Sequence, residues 1–190
     1  FLLLYLMLIN NFLLGYFLII IGILSILEFI KIINKIFNKE KLYAFLINLL
    51  FIFYIFCFCT IFLSFSFFAH LKIVIFIILI TCIASDIGGF IVGKTFKGKK
   101  LTKISPNKTV SGAIGSLIFS TMIISVIIYY TTKNYDPLII IVGLITSAAC
   151  QLGDLIISYL KRKSKFKDTG NFLPGHGGVL DRVDGIIVGM

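Results

Sequence analysis

The 190-residue chain is 59% hydrophobic, carries only 14% charged residues and has a mean hydropathy of +1.08. Runs of ~20 apolar residues suffice to cross a bilayer as helices, and several such runs argue against a water-soluble domain. The net charge of +10 would suit nucleic acid, but the bases cluster in short loops between apolar runs, which points instead to anionic headgroups and phosphate substrates.

Phe1–Ile9 reads as the tail of a span, Asn10-Asn11 as a short turn, and Phe12–Leu27 as a second crossing. Glu28–Lys41 changes character. Lys31, Lys35 and Lys39 recur every four residues with Ile32, Ile33 and Ile36 between them, which predicts an amphipathic helix at the membrane surface, for anchoring and orientation. Leu42–Phe68 is long enough to span with tilt, Ala69–Lys72 is a tight connection, and Ile73–Val92 returns. Gly93–Val110 is a basic loop with Lys94, Lys97, Lys99, Lys100, Lys103 and Lys108 and no acid. Ser111–Tyr130 crosses, Thr131–Asp136 turns, Pro137–Ile157 returns, and Gly185–Met190 looks like the opening of a further span. The expected fold is an all-α polytopic transmembrane helical bundle, one integral-membrane domain over 1–190. Phe1 is not an initiator Met, so the chain reads as truncated at both ends. Cys57, Cys59, Cys82 and Cys150 lie in apolar runs, without metal-ligand spacing, and read as small buried hydrophobes.

Charge bias tests this layout. Segments around 31–41, 94–108 and 161–182 hold sixteen of the eighteen Lys and Arg, and two spans separate each from the next. All three therefore face the same side, the cytoplasm by the positive-inside rule. The turns between hold only Lys72 and Lys133.

The polar residues gather at that side. Gln151, Asp154, Ser158 and Lys161 step by three, four and three residues and share one helix face. An intramembrane carboxylate such as Asp154 is expensive and suggests function; the bland reading is an Asp–Lys pair that holds two helices together. Asp181 and Asp184, three apart, point the same way on a helix and with Asp168 and Asp154 supply hard oxygen ligands suited to Mg²⁺. The bland alternative is a solvated helix start. Pro174-Gly175-His176-Gly177-Gly178 is a glycine-rich turn whose amides suit phosphate. His176 reads as a phosphate donor, a proton carrier or a turn residue, and the three stay open. Gly89 and Gly93 lie nearly on the face of Asp86, so a helix or ligand can approach closely there. For Lys94–Lys100 the reading is topology and lipid contact.

Ser158, Lys161, Arg162, Lys167, Asp168, Gly170, Pro174 to Gly178, Asp181, Arg182 and Asp184 stand at fixed spacing. Together they resemble the signature of the phosphatidate cytidylyltransferases (CDP-diacylglycerol synthases). Asp86 with its following glycines, and Ser105-Pro106-Asn107-Lys108-Thr109, are similar to two further motifs of that family. Ser111 and Ile157 stand where many members carry an acid. The resemblance implies transfer of a cytidylyl group from CTP to phosphatidate, giving CDP-diacylglycerol and pyrophosphate, at a bacterial inner membrane with the site facing the cytoplasm. It implies catalytic Lys161, Arg162, Lys167, His176 and Arg182. It places substrate on Asp86, Ser105, Lys108, Thr109, Ser158, Gly175, Gly177 and Gly178. It implies Mg²⁺ on Asp154, Asp168, Asp181 and Asp184, and suggests a second cation such as K⁺. Expected partners are CTP, phosphatidate and membrane lipids, not nucleic acid, with a homodimer left open. The rivals are another CTP-dependent lipid kinase or nucleotidyltransferase, and an ion-coupled transporter. A transporter should place its polar groups at the bilayer midplane; here they sit at one edge.

Overall fold

The computed structural model describes residues 2–102, 105, 108–134, 136–166, 168–170 and 177–190. These form seven helices in chain order: α1 (Leu2–Ile9), α2 (Asn11–Ile36), α3 (Lys41–Phe67), α4 (Ala69–Phe96), α5 (Val110–Thr132), α6 (Leu138–Lys163) and α7 (Leu180–Gly189). No strand occurs among the described residues, and α2 to α6 are each long and apolar enough to cross a membrane. The all-α reading holds. The described chain divides into two compact units, Phe1–Ile75 with Tyr159–Val183, and Phe76–Ser158 with Asp184–Met190.

Several boundaries differ from the sequence reading. The break after α1 is a single residue, Asn10, whose side chain accepts from the Phe12 N–H at 2.8 Å and starts α2. Glu28–Lys41 is not a separate surface helix: α2 runs unbroken to Ile36, and residues 37–40 turn into α3. The amphipathic pattern is real, with Ile32 and Ile33 buried and Lys31 and Lys35 outside, but nothing after Leu27 interrupts helical hydrogen bonding. Phe68 alone separates α3 from α4. The span predicted to end at Ile157 continues to Lys163, where Lys161, Arg162 and Lys163 complement the negative end of the helix dipole.

In the first unit α2 packs on α3. Gly22 admits Ile55, Phe29 stacks on Phe51 with ring centroids 3.8 Å apart, and the Asn48 amide donates to Asn34 Oδ1 at 3.1 Å. Lipid is as apolar as leucine, so helices associate through close packing and hydrogen bonds rather than hydrophobic burial. The outer face of α3 agrees with a bilayer: Leu42, Phe45, Leu50, Phe53 and Phe56 are each more than 60% exposed.

In the second unit α4 and α5 approach until backbones touch. A Cβ on Gly88 would lie 2.5 Å from Phe119 and 2.8 Å from the Gly115 carbonyl oxygen; one on Gly112 would lie 2.8 Å from the Gly89 carbonyl oxygen. The small-residue face read around Asp86 is thus a helix-packing face. Ser85 and Ser147 hydroxyls lie 2.7 Å apart, joining α4 to α6. Gly153 of α6 lets the α7 backbone in, with the Asp184 carbonyl oxygen 2.5 Å from where its Cβ would sit.

Candidate active site

The second unit holds a cavity of about 690 Å³ between α4, α5 and α6. Asp86 lines it from α4, Lys108 and Thr109 from the approach to α5, and Gln151 and Asp154 from α6. The loop after α4 folds back on itself. Lys100 and Thr109 form an antiparallel bridge, and Leu101 N–H donates to the Lys108 carbonyl at 2.8 Å. This delivers Lys108 to the cavity, where its Nζ lies 2.6 Å from Asp154 Oδ2. Thr109 Oγ1 accepts from the Gly112 N–H at 3.1 Å and caps α5. The Lys108 N–H donates to the Ser105 carbonyl at 3.1 Å. Gln151 donates to the Ala113 carbonyl and to Ser147 Oγ, both at 3.3 Å. Asp154 Oδ1 lies 3.0 Å from where a Cβ on Gly185 would stand, so α7 crosses directly over it. Asp184 is half-buried on α7, its Oδ1 2.9 Å from the Gly185 N–H.

The first unit holds the other cluster. Lys161, near the end of α6, donates to Asp181 Oδ1 at 2.6 Å, and both side chains are largely buried. Asp181 Oδ2 accepts from the Thr169 N–H at 2.9 Å and lies 3.1 Å from Thr169 Oγ1. Burial by itself would raise the Asp181 carboxyl; the hydrogen bonds from Lys161 and Thr169 outweigh it and hold the group below the usual carboxylate range. Asp168 is exposed and lies beside Gly177, whose φ of +80° only glycine adopts freely. Arg162 and Arg182 are exposed, and Ser158 is half-buried on α6 between Asp154 and Lys161.

The structure thus brings Asp86, Lys108, Thr109 and Asp154 to one cavity, and in the other unit sets Lys161 against Asp181, Asp168 beside Gly177 and Thr169 beside Gly178. The helical step through Gln151, Asp154, Ser158 and Lys161 holds, all four lying on α6. Lys167, Gly175 and His176 lie outside the described residues. Among the described residues, no three His, Cys, Asp or Glu side chains stand close enough to share an ion. The Asp–Lys pairing weighed for Asp154 is present, with Lys108 as partner. Ile157, where many relatives are acidic by the resemblance, is buried, and Ser111 Oγ lies 3.1 Å from Thr109 Oγ1.

One residue escaped the sequence reading. Glu28, inside α2, is 8% exposed and accepts from Thr169 Oγ1 at 2.7 Å and from the Val179 and Leu180 N–H groups at 2.9 Å each. The signal was available. Glu28 ends an apolar run as Asp154 does, but the lysine periodicity after it drew the segment toward a surface helix.

Among the described residues, five long apolar helices with acid–lysine clusters near their ends define the class, an all-α polytopic integral membrane protein. The profile of the cytidylyltransferase family matches residues 1–190, and the chain belongs to that family. The phosphatidate cytidylyltransferase of Rickettsia typhi is 46% identical over 122 residues, covering 59% of this chain and 54% of that protein. The phosphatidate cytidylyltransferase of Helicobacter pylori is 37% identical over 112 residues, 59% of this chain and 42% of that protein. That of Mycobacterium leprae is 37% identical over 114 residues, 60% of this chain and 36% of that protein. The chain thus spans about half or less of the length of these curated relatives.

Proposed function

We propose that the protein transfers a cytidylyl group from CTP to phosphatidate, as its relatives' name describes, at the cytoplasmic face of a bacterial inner membrane. A phosphatidate phosphate oxygen forms a bond to the α-phosphorus of CTP, and the bond from that phosphorus to the bridging oxygen breaks, releasing pyrophosphate. Such a transfer needs positioning and charge neutralisation more than a covalent intermediate.

The observation that carries this reading is the convergence of Asp86, Asp154 and Lys108 on one cavity, lined by motif residues of a family that matches the whole chain. Lys108, on the flexible stem of a lysine, would turn from Asp154 to a phosphate. Lys161, Arg162, Lys167 and Arg182 would neutralise the triphosphate and the leaving group. Ser105, Thr109, Ser158 and the amides of Gly175, Gly177 and Gly178 would orient phosphate oxygens. His176 would donate a hydrogen bond to one of them.

Carboxylate oxygens are the hard donors that Mg²⁺ takes. Mg²⁺ keeps several waters and takes one or two carboxylates plus substrate phosphates, rather than a cage of three or more. Asp154 and Asp184 lie in one unit, Asp168 and Asp181 in the other, and each supplies hard oxygen donors. We assign these four carboxylates to Mg²⁺ and a second cation such as K⁺. When bound, the cation would neutralise the triphosphate and hold its oxygens in place.

The test is incorporation of radiolabelled CTP into chloroform-extractable lipid, with and without added phosphatidate. Label that appears only with phosphatidate supports the reaction; none in either arm overturns it. Asp181→Asn and Asp184→Asn should each abolish Mg²⁺-dependent turnover while the protein still inserts. Unchanged turnover in the purified double variant would remove the metal assignment.

A further inference from the structure

Glu28 is the only acid in α2, and the reaction proposed above does not use it. A buried carboxylate must be met by several donors, or its desolvation goes uncompensated. Here the donors are Thr169 on one side of segment 170–178, and Val179 and Leu180 on the other. One side chain on α2 therefore holds both ends of that segment. The two amides belong to the start of α7, where N–H groups lack intrahelical partners and the dipole favours negative charge.

Two glycines make the contact sterically feasible. A Cβ on Gly170 would come 2.5 Å from Glu28 Oε1, and one on Gly178 would come 2.5 Å from Glu28 Oε2 and collide with Thr169 Oγ1. The chain carries no side chain at the two places where the carboxylate passes. The contact then reaches onward. Thr169 has one hydroxyl proton and two carboxylates beside it, Glu28 Oε2 at 2.7 Å and Asp181 Oδ2 at 3.1 Å. The hydroxyl serves the nearer, Glu28, while the Thr169 N–H holds Asp181 at 2.9 Å. With its side chain and its backbone held by different acids, Thr169 has little freedom left, and Asp181 is set against Lys161.

We propose that Glu28 is a positioning residue: it fixes both ends of the 170–178 segment and, through Thr169, sets the Asp181–Lys161 pair for the nucleotide. The functional side of this proposal rests on the cytidylyl-transfer reading; the geometric side does not.

The test uses the 190-residue chain in nanodiscs containing phosphatidate. Small misplacements of a phosphate-binding group are costly, so Glu28→Gln should lower kcat at least ~10-fold. The phosphatidate KM should stay within about twofold, because losing an interaction made only in the transition state lowers kcat and kcat/KM equally. Thr169→Val should do the same, and Thr169→Ser, which keeps the hydroxyl, should restore wild-type kinetics. The double variant Glu28→Gln/Thr169→Val should lose less than the two singles added together, since they share the Glu28–Thr169 contact. Hydrogen–deuterium exchange of the peptide holding Val179 and Leu180 supplies a readout independent of turnover, and it should quicken in Glu28→Gln. Unchanged exchange in that variant overturns the positioning role. Faster exchange with unchanged kcat per folded molecule reduces Glu28 to a structural tie. If the wild type makes no CDP-diacylglycerol, the reaction falls, and exchange alone judges Glu28. Should Glu28→Gln fail to insert, Thr169→Val reads the same contact from its other end.

Discussion

A lysine ammonium 2.6 Å from a carboxylate in a helical membrane protein serves either as a strut or as a handle for substrate, and charge reversal separates the two. Lys108→Asp alone, or Asp154→Lys alone, places like charges together in a partly buried cavity and should destabilise by ~1–3 kcal/mol. The exchanged pair Lys108→Asp/Asp154→Lys should recover the thermal stability but, on the proposed reading, stay at least ~100-fold down in turnover, because the proposed phosphate handle then points from α6 instead of from the approach to α5. Full recovery of activity would make the pair a strut only. Asp181 supports a second prediction. Its carboxyl titrates below the ordinary value of 3.8, so the folded state binds its proton less tightly than the unfolded chain. The stability it contributes is present above that value and is lost as pH falls through the lowered one. Melting curves from pH 7 down to about 3 should show wild type and Asp181→Asn converging on acidification. A gap that stays constant would mean that Lys161 and Thr169 do not stabilise the charged form.

Among the elements, the α4–α5 contact has the narrowest tolerance. A Cβ on Gly115 would stand 2.5 Å from Val92 and 2.8 Å from the Gly88 carbonyl oxygen. Gly115→Ala must therefore push the α4 and α5 backbones apart, at a cost of ~1–3 kcal/mol by the usual penalty for overpacking. The same displacement widens the cavity between Asp86 and Asp154, so on the proposed reaction CTP affinity should fall along with the melting temperature. A variant that melts lower but keeps its CTP KM would uncouple packing from the cavity. The α2 helix shows why patterning misled. A lysine every fourth residue is what a surface helix looks like, and it is equally what the end of a long span looks like when its tip reaches water. Lys31 and Lys35 in fact face the Phe166 ring, with Lys35 Nζ 3.8 Å from its centroid.

At the scale of the whole molecule, the five apolar helices and the clustered bases make a prediction about sidedness. In a cysteine-free background, Lys39→Cys, Lys99→Cys and Lys165→Cys should react with an impermeant maleimide only from the cytoplasmic side. His70→Cys and Lys133→Cys should react only from the other. Mixed labelling within either set would break the proposed orientation, and with it the access of CTP.

Hydropathy and charge in the amino-acid sequence were enough to establish the helical class, the number of long spans and the gathering of polar residues near helix ends. Each of these follows from local properties: a backbone in lipid must bond to itself, and twenty apolar residues in a row leave only a helix. The spacing through Asp154, Ser158 and Lys161 was legible for the same reason, since helical periodicity is local. Partners were not. That Asp154 meets Lys108, forty-six positions earlier, and that Glu28 meets Thr169, one hundred and forty-one positions later, depends on which helices lie side by side. No periodicity within either segment records that adjacency, and only the folded chain, by choosing which donors surround each buried carboxylate, decided it.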